Sequence, residues 1–293
     1  LDIRQLKYFV AIAEEGNITK AAHRLHMAQP PLSRQLKQME DELDVQLFER
    51  NKKKQVTLTY EGNVFLNRAK NILNQFEDSI IEVQELKEKV SGTLAIGSTI
   101  FCANMMLSKI VSLRENHPDL TFNIWEGDSV RLNELLENRQ IEIAITSSPV
   151  PKGNIERKKL SSDPYVLVLP KKWSIDIPDN IELAGISDLP LVLLRPNRGI
   201  GLYDHVILEF NRRDLHPNIL CECHDSVLLF SLVAAGFGAT ILPSSMLSLS
   251  DISQFRTINI KSNPLLLEPA ILWRSNSYLS KPAQEFIALF GDD

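Results

Sequence analysis

AQPPLSRQLKQMEDEL, residues 28–43, sets two adjacent prolines at the head of a segment that otherwise has the spacing of a helix. Leu32, Leu36, Met39 and Leu43 recur at i, i+4, i+7 and i+11, one stripe of a 3.6-residue helix. Proline suits the first helical turn, whose N–H groups have no intrahelical acceptor in any case. Pro30 and Pro31 therefore mark a start, and the helix is expected to run to about Leu43. Gln29, Ser33, Arg34, Lys37 and Gln38 lie opposite the stripe. No acid precedes Glu40 in the segment, so the leading half of this face is basic and rich in donors, unlike the mixed charge of most solvated helices.

Upstream, Leu6, Phe9, Val10 and Ala13 form the apolar stripe of one helix. Asn17 is placed to cap a second, with Ala21, Ala22 and Leu25 inward. A break at His26–Ala28 leads into the proline-started helix. Downstream, Val45, Leu47 and Phe48 lead to the basic turn NKKK at 51–54 and a strand, Val56–Leu58. Residues 1–58 thus follow the winged helix-turn-helix plan, three short helices and a hairpin.

A second segment, 59–90, contains no proline, and Thr59 can cap it. Phe65, Ala69, Ile72, Phe76, Ile80, Val83, Leu86 and Val90 advance by three or four residues throughout, a seam expected to pair helices in a homodimer. A long helix packed on its own chain is the alternative. From Ser91-Gly92 onward, strand-like and helix-like runs alternate. That order, in residues 91–293, predicts an α/β domain of parallel sheets with helices on both faces. Two lobes are expected, one from about 91–161 and 266–293, the other from about 162–265.

Composition is that of a globular protein, with 44% hydrophobic and 24% charged residues among 293. The net charge of −5 excludes a chain that is basic throughout. Residues 1–58 nevertheless hold ten Lys/Arg against eight Asp/Glu, a small cationic unit on an acidic body. Cys102, Cys221 and Cys223 make neither a disulfide framework nor a zinc set, and His23 with His26 supply too few ligands for a metal. Cys221 and Cys223 would share one face of a strand, and Cys102 could meet oxidants. No apolar run approaches the roughly 20 residues that span a bilayer. Asp2, Arg4 and Lys7 sit in an amphipathic pattern rather than a signal peptide, so a cytoplasmic protein without membrane partners is expected. No nucleophile–base–acid set, P-loop or dinucleotide fingerprint occurs. Neither an enzyme nor a cofactor is expected.

NITKAAHRLHMAQPPLSRQLKQMEDELDVQLFER (17–50) followed by VTLTYEG (56–62) closely resembles the DNA-binding signature of the LysR-type transcriptional regulators. IEIAITSS (141–148) and VAAGFGATILP (233–243) resemble that family's effector domain more weakly. The resemblance spans essentially the whole chain. It implies a winged helix-turn-helix, a dimerising linker helix and a two-lobed domain like periplasmic binding proteins, assembled as a homotetramer. It also implies binding of double-stranded promoter DNA, a small-molecule effector between the lobes, and RNA polymerase as a further partner. Within the family, GLYDHVILEF and VAAGFGATILPSS look most like activators that sense small carboxylates. Three departures stand out: Pro31 where the family has a small residue, a wing turn NKKKQ without the usual glycine and arginine, and Ser147 where some carboxylate-responsive relatives carry arginine.

A helix entering the major groove needs donors on an unhindered N-terminal half. Gln29, Pro30, Ser33, Arg34 and Lys37 are accordingly expected at the DNA, Arg34 being best suited to a bidentate pair with guanine. Thr19, Lys20, Arg50, Lys52, Lys53 and Lys54 are expected near the phosphates; plain solvated surface is the alternative. In parallel α/β sheets ligands bind beyond the carboxyl ends of strands. Ser98, Thr99, Phe101, Cys102, Ser129, Thr146 and Ser147 should therefore converge from one lobe on Arg195, Gly201 and Leu202 from the other. A solute-binding protein or enzyme on the same two-lobed plan would not need the basic helix, and a DNA-architectural protein would not need the cleft.

Overall fold

The Asp2 carboxylate accepts the Gln5 N–H at 2.8 Å, and the Gln5 side chain accepts the Asp2 N–H at 3.1 Å. This reciprocal cap starts helix α1 (Ile3–Glu15). Asn17 caps α2 (Ile18–Arg24) through the N–H groups of Thr19 and Lys20. Helix α3 (Gln29–Leu43) has no side-chain cap; its prolines take the place of donors in the first turn. Strands β1 (Phe48–Arg50) and β2 (Val56–Leu58) form the antiparallel hairpin, and α4 runs from Tyr60 to Glu85 under a Thr59 cap. The computed structural model describes residues 1–50, 55–86, 90–147, 154–175, 177–249, 251–262, 265–275 and 277–291. It divides into two compact units, Leu1–Lys87 and Glu88–Asp293.

The first unit closes around Phe9, which is fully buried between Phe48 (5.4 Å between ring centroids) and Phe65 (5.0 Å). The buried stripe of α1 is Leu6, Phe9 and Ile12, rotated slightly from the expected one, because Val10 and Ala13 lie at its margins. The seam of α4 is divided. Ala69 and Leu73 are buried in this core with Phe65 beside them, so the first half of the helix packs on its own chain. Ile72, Phe76, Ile80, Val83 and Leu86 remain exposed. Val90, expected in the same seam, packs instead on the core of the second unit.

In the second unit β3 (Gly92–Ser98), α5 (Ala103–Asn116), β4 (Leu120–Glu126), α6 (Ser129–Glu137), β5 (Ile143–Ser147) and β6 (Ile155–Lys159) build one lobe. The chain then crosses over. β7 (Asp163–Pro170), β8 (Asn180–Ile181), α7 (Leu183–Ser187), β9 (Leu191–Leu194), α8 (Leu202–Asn211), β10 (Ile219–Cys223), α9 (Ser226–Ala234), β11 (Thr240–Pro243), β12 (Phe255–Ile260) and β13 (Leu266–Leu267) make the second lobe. β14 (Pro269–Arg274) and α10 (Lys281–Ala288) return to the first.

Both sheets are mixed, not parallel as the element order suggests. The first has order β4-β3-β5-β14-β6, and the returning β14 runs antiparallel to both of its neighbours. The second has order β11-β7-β12-β8, with β7 antiparallel to β11, β12 and β13. The parallel pair β9-β10 joins it through a bridge between Leu191 and Ala239. β13 pairs with β7, so Leu266 and Leu267 belong to the second lobe's sheet, and the return crossing falls at Glu268. Strand β6, IERKK, escapes the sequence pattern because it is a charged edge with no buried face. No described helix is long and apolar enough to cross a membrane.

One glycine of the first unit is required by close approach. A Cβ on Gly62 would stand 2.1 Å from the Leu47 carbonyl oxygen, whose own partner is the Thr59 N–H. Gly62→Ala should therefore force α4 away from the hairpin and cost roughly 1–3 kcal/mol. A lower thermal midpoint by circular dichroism is the expected result; an unchanged midpoint would mean that the start of α4 moves freely.

Candidate DNA-facing surface and interlobe cleft

Thr19 and Lys20 are exposed on the first turn of α2. Gln29, Pro30, Arg34 and Lys37 are exposed on α3, and Ser33 is half-buried. The cations around this surface fall into two groups. Arg24 is bound by Glu14 (2.9 Å) and Glu15 (3.4 Å), and Lys70 by Glu14 (3.0 Å). Glu14 holds the Arg24 guanidinium above its usual range, so this cation is already neutralised within the fold. Lys20, Arg34 and Lys37 pair with no acid among the described residues. Arg50 lies in β1, while Lys52, Lys53 and Lys54 fall outside the described residues.

Glu40, on the same helix, is buried, and one of its carboxylate oxygens accepts the N–H groups of Leu47 (2.8 Å) and Phe48 (3.2 Å). It ties the end of α3 to the start of β1. In the sequence it reads as the first acid of an exposed face. Its position four residues after Leu36, on the inward stripe, is the signal of burial that the sequence carries.

In the second unit a cleft with about 850 Å³ of atom-free space, open mouth included, lies between the lobes. It is lined where β3, β4, β5, β9 and β10 end, by Thr99, Gly127, Ser147, Arg195 and His224 among others. Of the expected residues, Thr99, Phe101, Ser129, Thr146, Ser147, Arg195 and Gly201 line it. Ser98, Cys102 and Leu202 do not. Ser98 turns its hydroxyl onto the Thr99 carbonyl (2.8 Å), and Cys102 and Leu202 are buried in the core behind the cleft. They lie one residue beyond a lining position, on the far side of the backbone.

Arg195 is held by Glu222 and stacks over Tyr203 at 5.0 Å, while the Tyr203 hydroxyl donates to Glu222 at 2.8 Å. Asp128 and Asp225 cap α6 and α9, accepting the N–H groups of Arg131 (2.8 Å) and Leu228 (2.7 Å). At both helix N-termini the carboxylate of the capping residue thus already accepts one of the free N–H groups. Glu126 is the third acid; burial first, then the charges of Asp128 and Asp225, push its carboxyl above the usual range. These three acids escape the sequence reading, although Asp128 and Asp225 are legible as residues preceding helical runs. No group able to hold a metal ion occurs among the described residues.

Residues 3–63 match the family model for the bacterial regulatory helix-turn-helix protein, lysR family, and residues 87–293 match that for the LysR substrate binding domain. The chain is 56% identical over 290 residues to the HTH-type transcriptional regulator BsdA of Bacillus subtilis (strain 168), covering 99% of this chain and 100% of that protein. It is 34% identical over 246 residues to AlsR of the same organism, covering 84% and 81%. Among solved structures, full-length CbnR complexed with its target DNA superposes with a TM-score of 0.65 at 23% identity, covering 99% of each chain, a likeness of fold.

The thiols separate by environment. Burial pushes Cys102 up to about 12, with the nearby Asp163 charge adding to it, so the reactive thiolate is suppressed. The expected encounter of Cys102 with oxidants is therefore not supported. Cys221 is partly exposed. Iodoacetamide at pH 8 should label Cys221 in the native protein and Cys102 only after denaturation, as read by peptide mass spectrometry. Native labelling of Cys102 would mean that its pocket opens.

Proposed function

This chain belongs to the LysR family of DNA-binding transcriptional regulators, and on that premise we propose which of its surfaces meet DNA, effector and partner subunits. Helix α3 enters the major groove, with Gln29, Pro30, Ser33, Arg34 and Lys37 toward the bases. Thr19 and Lys20, with Arg50 and Lys52, Lys53 and Lys54 of the wing, reach the phosphates. The observation that carries this assignment is the exposed, donor-bearing leading half of α3 together with the unpaired state of its cations among the described residues. Lys20, Arg34 and Lys37 have no acidic partner among the described residues, while Arg24 and Lys70 are neutralised. Cations without such partners release counterions on meeting phosphate and so contribute most to affinity.

The interlobe cleft receives a small carboxylate. Hydroxyls of Thr99, Ser129, Thr146 and Ser147 offer donors, and Arg195 supplies an oriented guanidinium. Glu126, Asp128 and Asp225 border the same space, so one negative charge is tolerated better than two. The exposed stripe Ile72, Phe76, Ile80 and Val83 pairs with its counterpart on a second subunit, and two such dimers assemble as a tetramer on promoters in the cytoplasm, where RNA polymerase is the further partner. Effector binding favours one arrangement of the lobes over another, which requires different affinity for the two states.

Three measurements test these assignments. Arg34→Ala should abolish preference for the target promoter over random DNA while the far-ultraviolet spectrum is unchanged; equal promoter affinity in a salt-controlled gel shift refutes it. Ile72→Glu should lower the sedimentation coefficient toward that of a smaller assembly, and an unchanged profile rules out pairing through α4. A thermal-shift panel of small mono- and dicarboxylates should raise the midpoint with at least one monocarboxylate. No shift with any of them removes the carboxylate assignment.

A further inference from the structure

Arg195 and Arg198 leave the same loop between β9 and α8, yet they go to different lobes. Arg195 stays in the second lobe with Glu222. Arg198 crosses to the first, where its guanidinium meets both carboxylate oxygens of Glu134 on α6, at 2.8 and 3.2 Å. Its Nε also lies 3.8 Å from Asp128, the residue that caps α6 and lines the cleft. The Glu134 carboxyl is held below its usual range, first by Arg198. The next residue, Gly199, has φ +78°, and a Cβ there would stand 2.8 Å from Cγ2 of Val130 in the first turn of α6. Two consecutive residues of one lobe are thus shaped to dock on one helical turn of the other.

We propose that this contact is a latch: Arg198 on Glu134, with Gly199 seated on Val130, holds the two lobes closed over the cleft. A single exposed ion pair contributes little to global stability. Here it spans the two bodies whose separation is at issue, and it is bidentate, the geometry in which arginine gives most orientation. Its energy therefore acts on the equilibrium between open and closed lobes rather than on folding. Opening must separate Arg198 from Glu134 and lift Gly199 off Val130. Salt screens such a pair. Closure should accordingly weaken as ionic strength rises, whatever the charge of the effector. Only the sensing role of the latch rests on the cleft being an effector site.

The test is hydrogen exchange, followed by mass spectrometry, on the full chain with no ligand added. Arg198→Ala and Glu134→Ala should each raise exchange roughly threefold or more at Thr99–Phe101 and Thr146–Ser147, cleft segments that neither substitution touches. The double variant Arg198→Ala with Glu134→Ala should raise exchange no further than either single substitution, because each alone already removes the pair. Gly199→Ala keeps both charges but sets a methyl against Val130, and it should open the same segments. Exchange that rises only around the substituted residue, or a double variant whose rise is the sum of those of its single parents, overturns the latch. A latch confirmed in this way, together with a flat thermal-shift panel, would leave closure standing and remove the carboxylate assignment alone.

Discussion

A single carboxylate oxygen of Glu40, accepting the N–H groups of Leu47 and Phe48, ties together the elements of the helix-turn-helix unit. A buried carboxylate is costly unless hydrogen bonds replace its water. The backbone of 45–48 supplies those bonds, and the Glu40 carbonyl accepts the Val45 N–H in the same turn. Leu47 then passes the constraint on. Its carbonyl accepts the Thr59 N–H, and Gly62 leaves that oxygen the room it needs. Helix α3, the hairpin and the start of α4 are therefore joined through four residues of chain. The first half of α4 and the end of α3 are thus fixed to the same short stretch of backbone.

The second unit solves a different problem, keeping two lobes apart while giving them one site. Its parallel strands end at the cleft from both sides, so backbone ends and short hydroxyl side chains gather there without any single long element. Asp128 shows how closely structure and response are combined. It caps α6, borders the cleft and lies beside Arg198 from the other lobe. Arg195 is fixed at the edge of the cleft by partners of its own lobe, the Glu222 carboxylate and the Tyr203 ring, and Glu222 also accepts the Tyr203 hydroxyl.

Local order was legible where one residue type satisfies a local demand. The Asn17 and Thr59 caps, the proline start of α3 and the apolar stripes follow from spacing alone, since a helix presents residues three and four apart on one face. Thr99, Thr146 and Ser147, at strand ends reading Ser-Thr or Thr-Ser, line the cleft. Neighbouring residues were less legible. Ser98 turns its hydroxyl onto the Thr99 carbonyl, and the apolar Cys102 and Leu202, each in the first turn of a helical segment, are buried in the core behind the cleft that their neighbours line.

Sequence alone therefore determined the main helices and the apolar strands, where the basic helix begins, and the family to which the chain belongs, while the charged edge strand β6 stayed hidden. These rest on periodicity and on a contiguous signature, both carried by residues near one another in the chain. Tertiary structure decided the antiparallel return of β14, the burial of Glu40, the division of the α4 seam, and the meeting of Arg198 with Glu134. Each of these depends on segments distant in sequence that share a surface only after the chain has closed, and no local pattern encodes which distant charge or carbonyl will be waiting there.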